Sequence, residues 1–459
     1  MRFHKGTYGK ETVQANSLVA NLVKYPEIAS TLVRQYPQYS LAYFTDGLNR
    51  IANEETIGEN QFRWSVLGRT NRPSTCTGTF NGNGANVAAF TVEVEENYLN
   101  PNDRVRLKDG TNAIVHGEPT LSAGGYTLQL KVETSDPNYP GITNPAAVFG
   151  AGETIGVMGS AFPEGSRRGY ENHVYPDWYT NYLTISRKSK SITGSALTDV
   201  TWIENNGQRL WYFTDQELVY DQMMWEMELQ GWYGVSTVDA NGNPTQLDLD
   251  GNPIYTGDGV LRQIDSANID TYSGALTEDR ITEFLTQLAL NSGVKHGHWL
   301  VYTGSAGRLA FHRAMKDLIV DTGALVYPGH GGKALNVGMH FTSYSAVGQT
   351  MTLVHAPIFD DQNLHTDIDP ATGYPKESFR MVFMDYNMTS GVSNLEVKVK
   401  GAGGINRGMI VKYIPGMVNP FDQDSMMAAN ANDSFSCEML CEKGYIVRNP
   451  LSCGQLLFA

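Results

Sequence analysis

The chain has 459 residues, with 48 acids against 34 bases for a net charge of −14. At roughly 100–200 residues per domain this length gives two to four folding units, and 41% hydrophobic residues exclude a disordered chain. The acidic balance disfavours tight binding to a phosphate backbone, whose affinity comes from Lys and Arg displacing counterions.

No apolar run of about 18 residues is present to cross a membrane. No apolar segment follows Met1-Arg2-Phe3-His4-Lys5, as a secretory leader requires. Four cysteines are too few for a disulfide scaffold, so synthesis in a reducing cytoplasm is expected. The 47 glycines and 24 tyrosines point to a β-rich chain with many turns and large contact surfaces.

Residues 1–50 read as an arm. Leu18, Val19, Leu22 and Val23 have helical spacing that stops at Tyr25-Pro26; Ile28, Leu32 and Val33 repeat it up to Tyr36-Pro37. Helices this short do not hold alone and need a surface to lie against. Residues 56–67 read as one long strand. Within 76–165, the runs 90–94, 103–107, 128–132 and 153–157 alternate apolar with polar between Gly, Pro and Asn clusters. That is the pattern of a small antiparallel barrel or sandwich. Extended structure resumes at 182–186, followed by Arg187, Lys188 and Lys190. The simplest reading is a two-stranded arm interrupted at its tip by an inserted β-domain.

Thr214-Asp215-Gln216-Glu217 has the form of a capping box opening a helix to about 230. Leu218, Val219, Met223, Trp225, Met227 and Leu229 would pack, and every charge is acidic: Asp215, Glu217, Asp221, Glu226 and Glu228. Residues 239–259 form a turn-rich excursion around Asn241-Gly242 and Asp250-Gly251. A second helix follows Thr277, buries Ile281, Phe284, Leu285 and Leu288, and closes at Gly293. Residues 299–302 make a buried strand. A third helix spans about 305–318, N-capped by Ser305, and strands follow at 350–355, 379–386 and 395–400. This order is an α+β core.

Candidate chemistry is sparse. His355, Asp360, Asp361, His365, Asp367 and Asp369 are metal-ligand types, but they fall in a Pro- and Gly-bounded loop where solvated polar residues are expected. Cys437, Cys441 and Cys453 lack a fourth zinc ligand and read as buried thiols. The glycine runs at 328–333 and 401–404 fail the phosphate-loop and dinucleotide patterns, and 303–307 fails the nucleophile elbow. Asp248 with Asp250-Gly251-Asn252 lacks the Glu that closes a calcium loop, which favours a hairpin. No catalytic residue, metal or cofactor is expected. What stands out is a charge mismatch: Arg167, Arg168, Arg187, Lys188 and Lys190 against the acidic helix. It fits either a basic arm lying over a neighbour's acidic helix or two solvated faces. Exposed pairs add only ~0–1 kcal/mol each, so such contacts set register more than affinity.

This order of elements resembles the major capsid protein of tailed bacteriophages, the Hong Kong 97 type. The segments 53–64 (NEETIGENQFRW) and 354–360 (VHAPIFD) are similar to the major capsid proteins of crAss-like phages. The resemblance implies an N-arm at 1–50, an E-loop at 51–75 and 166–205, and an inserted all-β domain at 76–165. It further implies a peripheral domain with the spine helix at 206–320 and 375–400, and an axial domain with C-terminal segments at 321–374 and 401–459. The implied function is self-assembly into hexamers and pentamers of an icosahedral virion shell around double-stranded DNA, without sequence-specific DNA binding and without a membrane. Portal and head decoration or auxiliary capsid proteins are the implied partners, and the host bacterial cytoplasm the place of synthesis. Two other classes stay open. One is a head decoration or tail-associated binding protein whose β-domain recognises a carbohydrate or partner protein. The other is a metal-dependent hydrolase using His355 and His365.

Overall fold

The computed structural model describes residues 53–67, 73–166, 169–170, 175–198, 211–239, 241–293, 297–322, 343–386, 388–389, 392–419 and 429–459. The expected arm at 1–50, Arg167, Arg168 and the glycine run at 328–333 lie outside them. The chain divides into two compact units, residues 65–179 and the remainder.

The first two strands are β1 (Asn53–Ile57) and β2 (Gln61–Val66). The single strand expected over 56–67 is therefore two, because the chain bends at 58–60 and each half finds a different partner.

The smaller unit contains β3 (Ser74–Asn81), β4 (Phe90–Val94), β5 (Asp103–Arg106), β6 (Asn112–Val115), β7 (Thr120–Ser122), β8 (Gly125–Val132) and β9 (Thr154–Ser160). Their order is β4-β3-β9-β5-β6-β8-β7, antiparallel at every pairing, and β4 also pairs with β8. That last pairing closes six strands into a barrel, with β7 appended, and closure removes free edges. Period-2 alternation sends Val92, Val94, Val105, Ala113, Val115, Leu128 and Leu130 inward, where they pack with Phe90 and Phe149.

Strand β10 (Asp177–Tyr182) pairs with β2 as a two-stranded ribbon, and β11 (Thr184–Thr193) follows it in the larger unit. Helix α1 (Trp211–Tyr233) comes next, then β12 (Ile269–Tyr272), α2 (Glu278–Ser292), β13 (His298–Thr303) and α3 (Ser305–Thr322). Next come β14 (Ser343–Ala346), β15 (Gln349–His355), β16 (Met381–Asp385), β17 (Met388–Thr389), β18 (Val392–Ser393), β19 (Leu395–Ala402), β20 (Ile405–Asn406), β21 (Ile410–Pro415), β22 (Ser434–Val447) and β23 (Gly454–Phe458). Thr214 is the fourth residue of α1 and not its N-cap. A capping motif worth about 1 kcal/mol does not fix a boundary where residues upstream can propagate the helix.

Two sheets organise this unit. The first runs β1-β19-β22-β11, with β21 and β20 attached to β22 and β19. Helix α1 lies on it through Met223 and Met227, which meet Cys437, Met439 and Cys441 of β22. The second runs β12-β23-β16-β13-β15-β14. Strand β13 passes through α3 to β15, its parallel neighbour. Strand β16 is buried at all five positions. Met381 and Phe383 pack with Phe284 and Leu288 of α2 and Phe311 of α3, whereas Val382 and Met384 pack with Trp232 of α1 and Val397 of β19. Both faces being covered explains why this strand reads as an unbroken apolar run.

The sheets overturn the sequence-based division of this unit. Separating 206–320 and 375–400 from 321–374 and 401–459 would part β13 from β15, β16 from β23 and β19 from β22. Interstrand hydrogen bonds make each sheet one body, so the domains follow the sheets. Helix α2 matches expectation: Thr277 Oγ1 accepts the Arg280 N–H at 3.3 Å, and Gly293 ends it at φ 69°.

Candidate assembly surface

The ribbon of β2 and β10 is fastened at its root. Asn181 is buried, its Nδ2 donating to the carbonyls of Tyr445 (2.9 Å) and Asp258 (3.0 Å) while its Oδ1 accepts the Asp258 N–H at 2.8 Å. The Leu183 N–H donates to Asn60 O at 2.9 Å, and the Gly257 N–H to Thr184 Oγ1 at 2.9 Å. Phe62 and Trp64, two apart on β2, share its buried face. Away from this root the chain changes character: Tyr175, just before β10, and Trp178 on it are 76% and 68% exposed, and Tyr179 is exposed as well.

An ionic network then ties β1 to the first sheet. Lys398, 7% exposed, donates to Glu396 at 2.8 Å and also to Glu55, and Arg448 reaches Glu396 at 2.6 Å. Lys443 bonds Glu54 at 2.8 Å, and Arg407 bonds the buried Glu442 at 2.5 Å. Burial alone would raise the Glu396 carboxyl. The bonds from Lys398 and Arg448 outweigh it and hold the group below the usual carboxylate range. Such buried pairs specify register more than they stabilise. They fix β1, and hence the chain leaving it, against β19. None of these residues is among the charged contact candidates read from the sequence, although Glu54 and Glu55 fall in the segment 53–64 that carries the family resemblance. The signal for them was the alternation Leu395-Glu396-Val397-Lys398-Val399-Lys400, apolar on one face and charged on the other.

The ten charged candidates separate. Arg167 and Arg168 lie outside the described residues, and Asp215 and Glu217 lie in α1 where side chains are not described. Asp221 and Glu228 are buried, the latter accepting the Trp232 indole N–H at 3.1 Å. These two belong to no exposed acidic face, so they drop out of the contact residues expected of the acidic helix. Lys188 pairs with Glu226 of the same chain at 2.7 Å, because β11 and α1 pack together. Lys190 is half-buried, and Arg187 is exposed on the opposite face of β11. Leu218, expected to pack, is exposed.

The His and Asp loop is structural. Gly304 is the N-cap of α3, since its carbonyl accepts the Arg308 N–H at 3.1 Å, so Ser305 is the first helical residue rather than the cap. The cap comes from across the fold: Asp360 accepts the Ser305 N–H at 2.8 Å, and Ser378 Oγ accepts the Ala306 N–H at 2.9 Å. A Cβ at position 304 would sit 2.4 Å from the Asp360 carboxylate and 2.6 Å from Ser378 Oγ, which is why glycine stands there. His355 Nε2 lies 2.9 Å from Asp360 Oδ2 and 3.1 Å from Ser305 Oγ. The Ser305 hydroxyl donates to Asp360 at 2.7 Å, and both partners share one imidazole nitrogen, so this is not the Ser–His–Asp relay of a hydrolase. His365 contacts the Ile358 carbonyl and Tyr233. Asp369 accepts the Thr372 N–H and hydroxyl within its own turn. Among the described residues no three His, Cys, Asp or Glu side chains are grouped to hold a metal. The four cysteines are buried and unpaired, and burial pushes the Cys441 and Cys453 thiols up to about 12.

A fastened ribbon with exposed aromatics, a charge-locked edge strand and polar clusters consumed by structure describe a subunit that works through its surfaces. The class is a viral shell protein: the crassvirus major capsid protein family model matches residues 1–459. The chain belongs to that family and forms capsid shells of the virion. The major capsid protein of Bacteroides phage crAss001 is 24% identical over 410 residues, covering 78% of this chain and 79% of that one. Among solved structures, the SrpI encapsulin of Synechococcus elongatus overlaps 97% of this chain and 96% of its own at 9% identity and a TM-score of 0.40. A chain of Microbacterium phage Oxtober96 overlaps 98% and 99% at 9% identity and 0.41. Overlaps that loose fix neither fold nor role, and the family match alone carries the assignment. Of the classes left open by the sequence, the family is that of the shell subunit.

Proposed function

We propose that this capsid protein has the Hong Kong 97-type fold and assembles as hexamers and pentamers into an icosahedral head around double-stranded DNA. The β2–β10 ribbon is the E-loop, α1 the spine helix on a peripheral sheet, the second sheet (β12-β23-β16-β13-β15-β14) with α2 and α3 the axial domain, and the barrel an insertion. The carrying observation is the ribbon itself, held at Asn181 and Asn60, with Trp178 on it and Tyr175 just before it largely exposed among the described residues. Exposed aromatics on a preorganised strand are what an interface desolvates. Arg187 and Ile185 are likewise exposed, on β11, and are available to a neighbouring copy. The excess of carboxylates leaves enclosed DNA unbound by sequence, portal and decoration proteins complete the head, and the host cytoplasm is where it is made.

Expression of the chain with negative-stain imaging tests this reading. Wild type forms closed shells with five- and six-fold capsomers. Tyr175→Ser with Trp178→Ser gives a folded chain that does not close shells. Normal shells from that variant contradict the assignment of the ribbon.

A further inference from the structure

Residues 235–257, between α1 and β12, hold a repeat that the shell-forming role has not used. Asp239 Oδ1 accepts the N–H groups of Asn241 (2.9 Å) and Asn243 (2.8 Å). Nine residues on, Asp248 Oδ1 accepts those of Asp250 (2.9 Å) and Asn252 (2.7 Å). Each turn has the form Asp-x-Asn/Asp-Gly-Asn-Pro, with its glycine at φ 86° or 83°. The two turns are locked onto each other, since Thr237 Oγ1 donates to Ile254 O at 2.7 Å and Thr245 Oγ1 to Thr237 O at 2.9 Å. The backbone hydrogen bonds to Asp239 and Asp248 hold both carboxyls below the usual range. The result is a stiff protrusion with a fully exposed Leu249, an exposed Leu247, the three acids Asp239, Asp248 and Asp250, and no base.

The same unit presents the opposite surface on α3. Leu309 is exposed, flanked by a half-buried Arg308 and an exposed Arg313, and neither arginine has an ion-pair partner among the described residues. Among the described residues both surfaces stand open, so the protrusion is not seated on its own α3. We infer that the leucine tip of residues 247–250 docks on the Arg308–Leu309–Arg313 face of α3 in a second copy of this chain. The occupant is a second copy because charge and apolar character match on both sides, and because a shell built from copies supplies that face at high local concentration. Preorganisation by the two Asp turns lowers the ordering cost of docking. This inference rests on the capsid reading.

The experiment mixes Leu249→Cys chains with Leu309→Cys chains during shell assembly, with a short bismaleimide linker; the four native cysteines are buried and stay silent. Covalent dimers are expected from the mixture and from neither variant alone. The Asp250 carboxylate is not used by its turn, so Asp250→Arg reverses charge without unfolding it. Asp250→Arg and Arg313→Asp each lower shell yield about tenfold, and together restore it. Shells that form without the 249–309 link, or Asp250→Arg shells at wild-type yield, overturn the inference. Arg308→Glu/Arg313→Glu shells that form normally but retain less DNA would assign the face to phosphate and also overturn it. Failure of wild type to form any shell is a different result: it removes the capsid reading, and with it the second copy as occupant.

Discussion

Asp360→Ala isolates a helix cap supplied 55 residues downstream of the helix it serves. In the native chain the carboxylate accepts the Ser305 N–H with both oxygens (2.8 and 3.0 Å), the hydroxyls of Ser305 (2.7 Å) and Ser378, and the His355 ring at 2.9 Å. A lost N-cap costs about 1 kcal/mol, and hydrogen bonds to a charged acceptor about 1.5–3 kcal/mol. Ser378 still holds the Ala306 N–H and the contributions overlap, so we expect a loss of about 3 kcal/mol at pH 7. Burial would raise the Asp360 carboxyl, but the bonds from His355, Ser378 and Ser305 outweigh it and hold the group below its ordinary value. A depressed carboxylate stabilises the fold fully above the unfolded value, about 3.9, and the contribution is lost as pH falls through the folded one. The wild type therefore loses its advantage on acidification while the variant does not. Urea unfolding at fixed protein concentration, at pH 7 and in steps to pH 3, measures both. A loss under about 0.5 kcal/mol, the level of a neutral surface change, or a gap that stays constant as pH falls, would refute the capping account.

Four further outcomes follow from the packing. Lys398→Met strands the buried Glu396 with Arg448 alone and costs about 3 kcal/mol in urea unfolding, as breaking a buried pair does. Trp232→Ala removes the ring that meets Tyr302 at 5.1 Å and Phe359 at 5.3 Å, and costs about 3–5 kcal/mol by the same assay. Thiol reagents at pH 8 modify no cysteine of the native chain and all four in guanidinium. Residues 65–179, expressed alone, melt cooperatively by circular dichroism, because the barrel is closed and its core is its own.

What could be read from the sequence was what is local. Helix α2 was legible in full because Thr277, the stripe from Ile281 to Leu288 and Gly293 are consecutive and agree. Four strands of the smaller unit, β4, β5, β8 and β9, were legible because alternation survives in each run, whereas β3, β6 and β7 were not singled out. Helix α3 was found but its cap was not, since the donor of that cap, Asp360, is near only in space. The division of the larger unit failed for the same reason: β13 pairs with β15 across a whole helix, and β16 with β23 across some seventy residues, which no window detects. Composition alone could not separate buried Asp221 and Glu228 from a solvated acidic face, because burial is decided by what packs on α1. The ribbon root at Asn181 carries no motif at all; its partners Asp258 and Tyr445 are 77 and 264 residues away.

The isolated chain is unfinished, with aromatics on a ribbon and leucines on a stiff loop left to water. Static light scattering of the purified wild-type protein against its own concentration measures that directly. For a shell subunit the mass rises sharply from one subunit to closed particles of megadalton size. A mass that stays at one subunit across the whole range would contradict it.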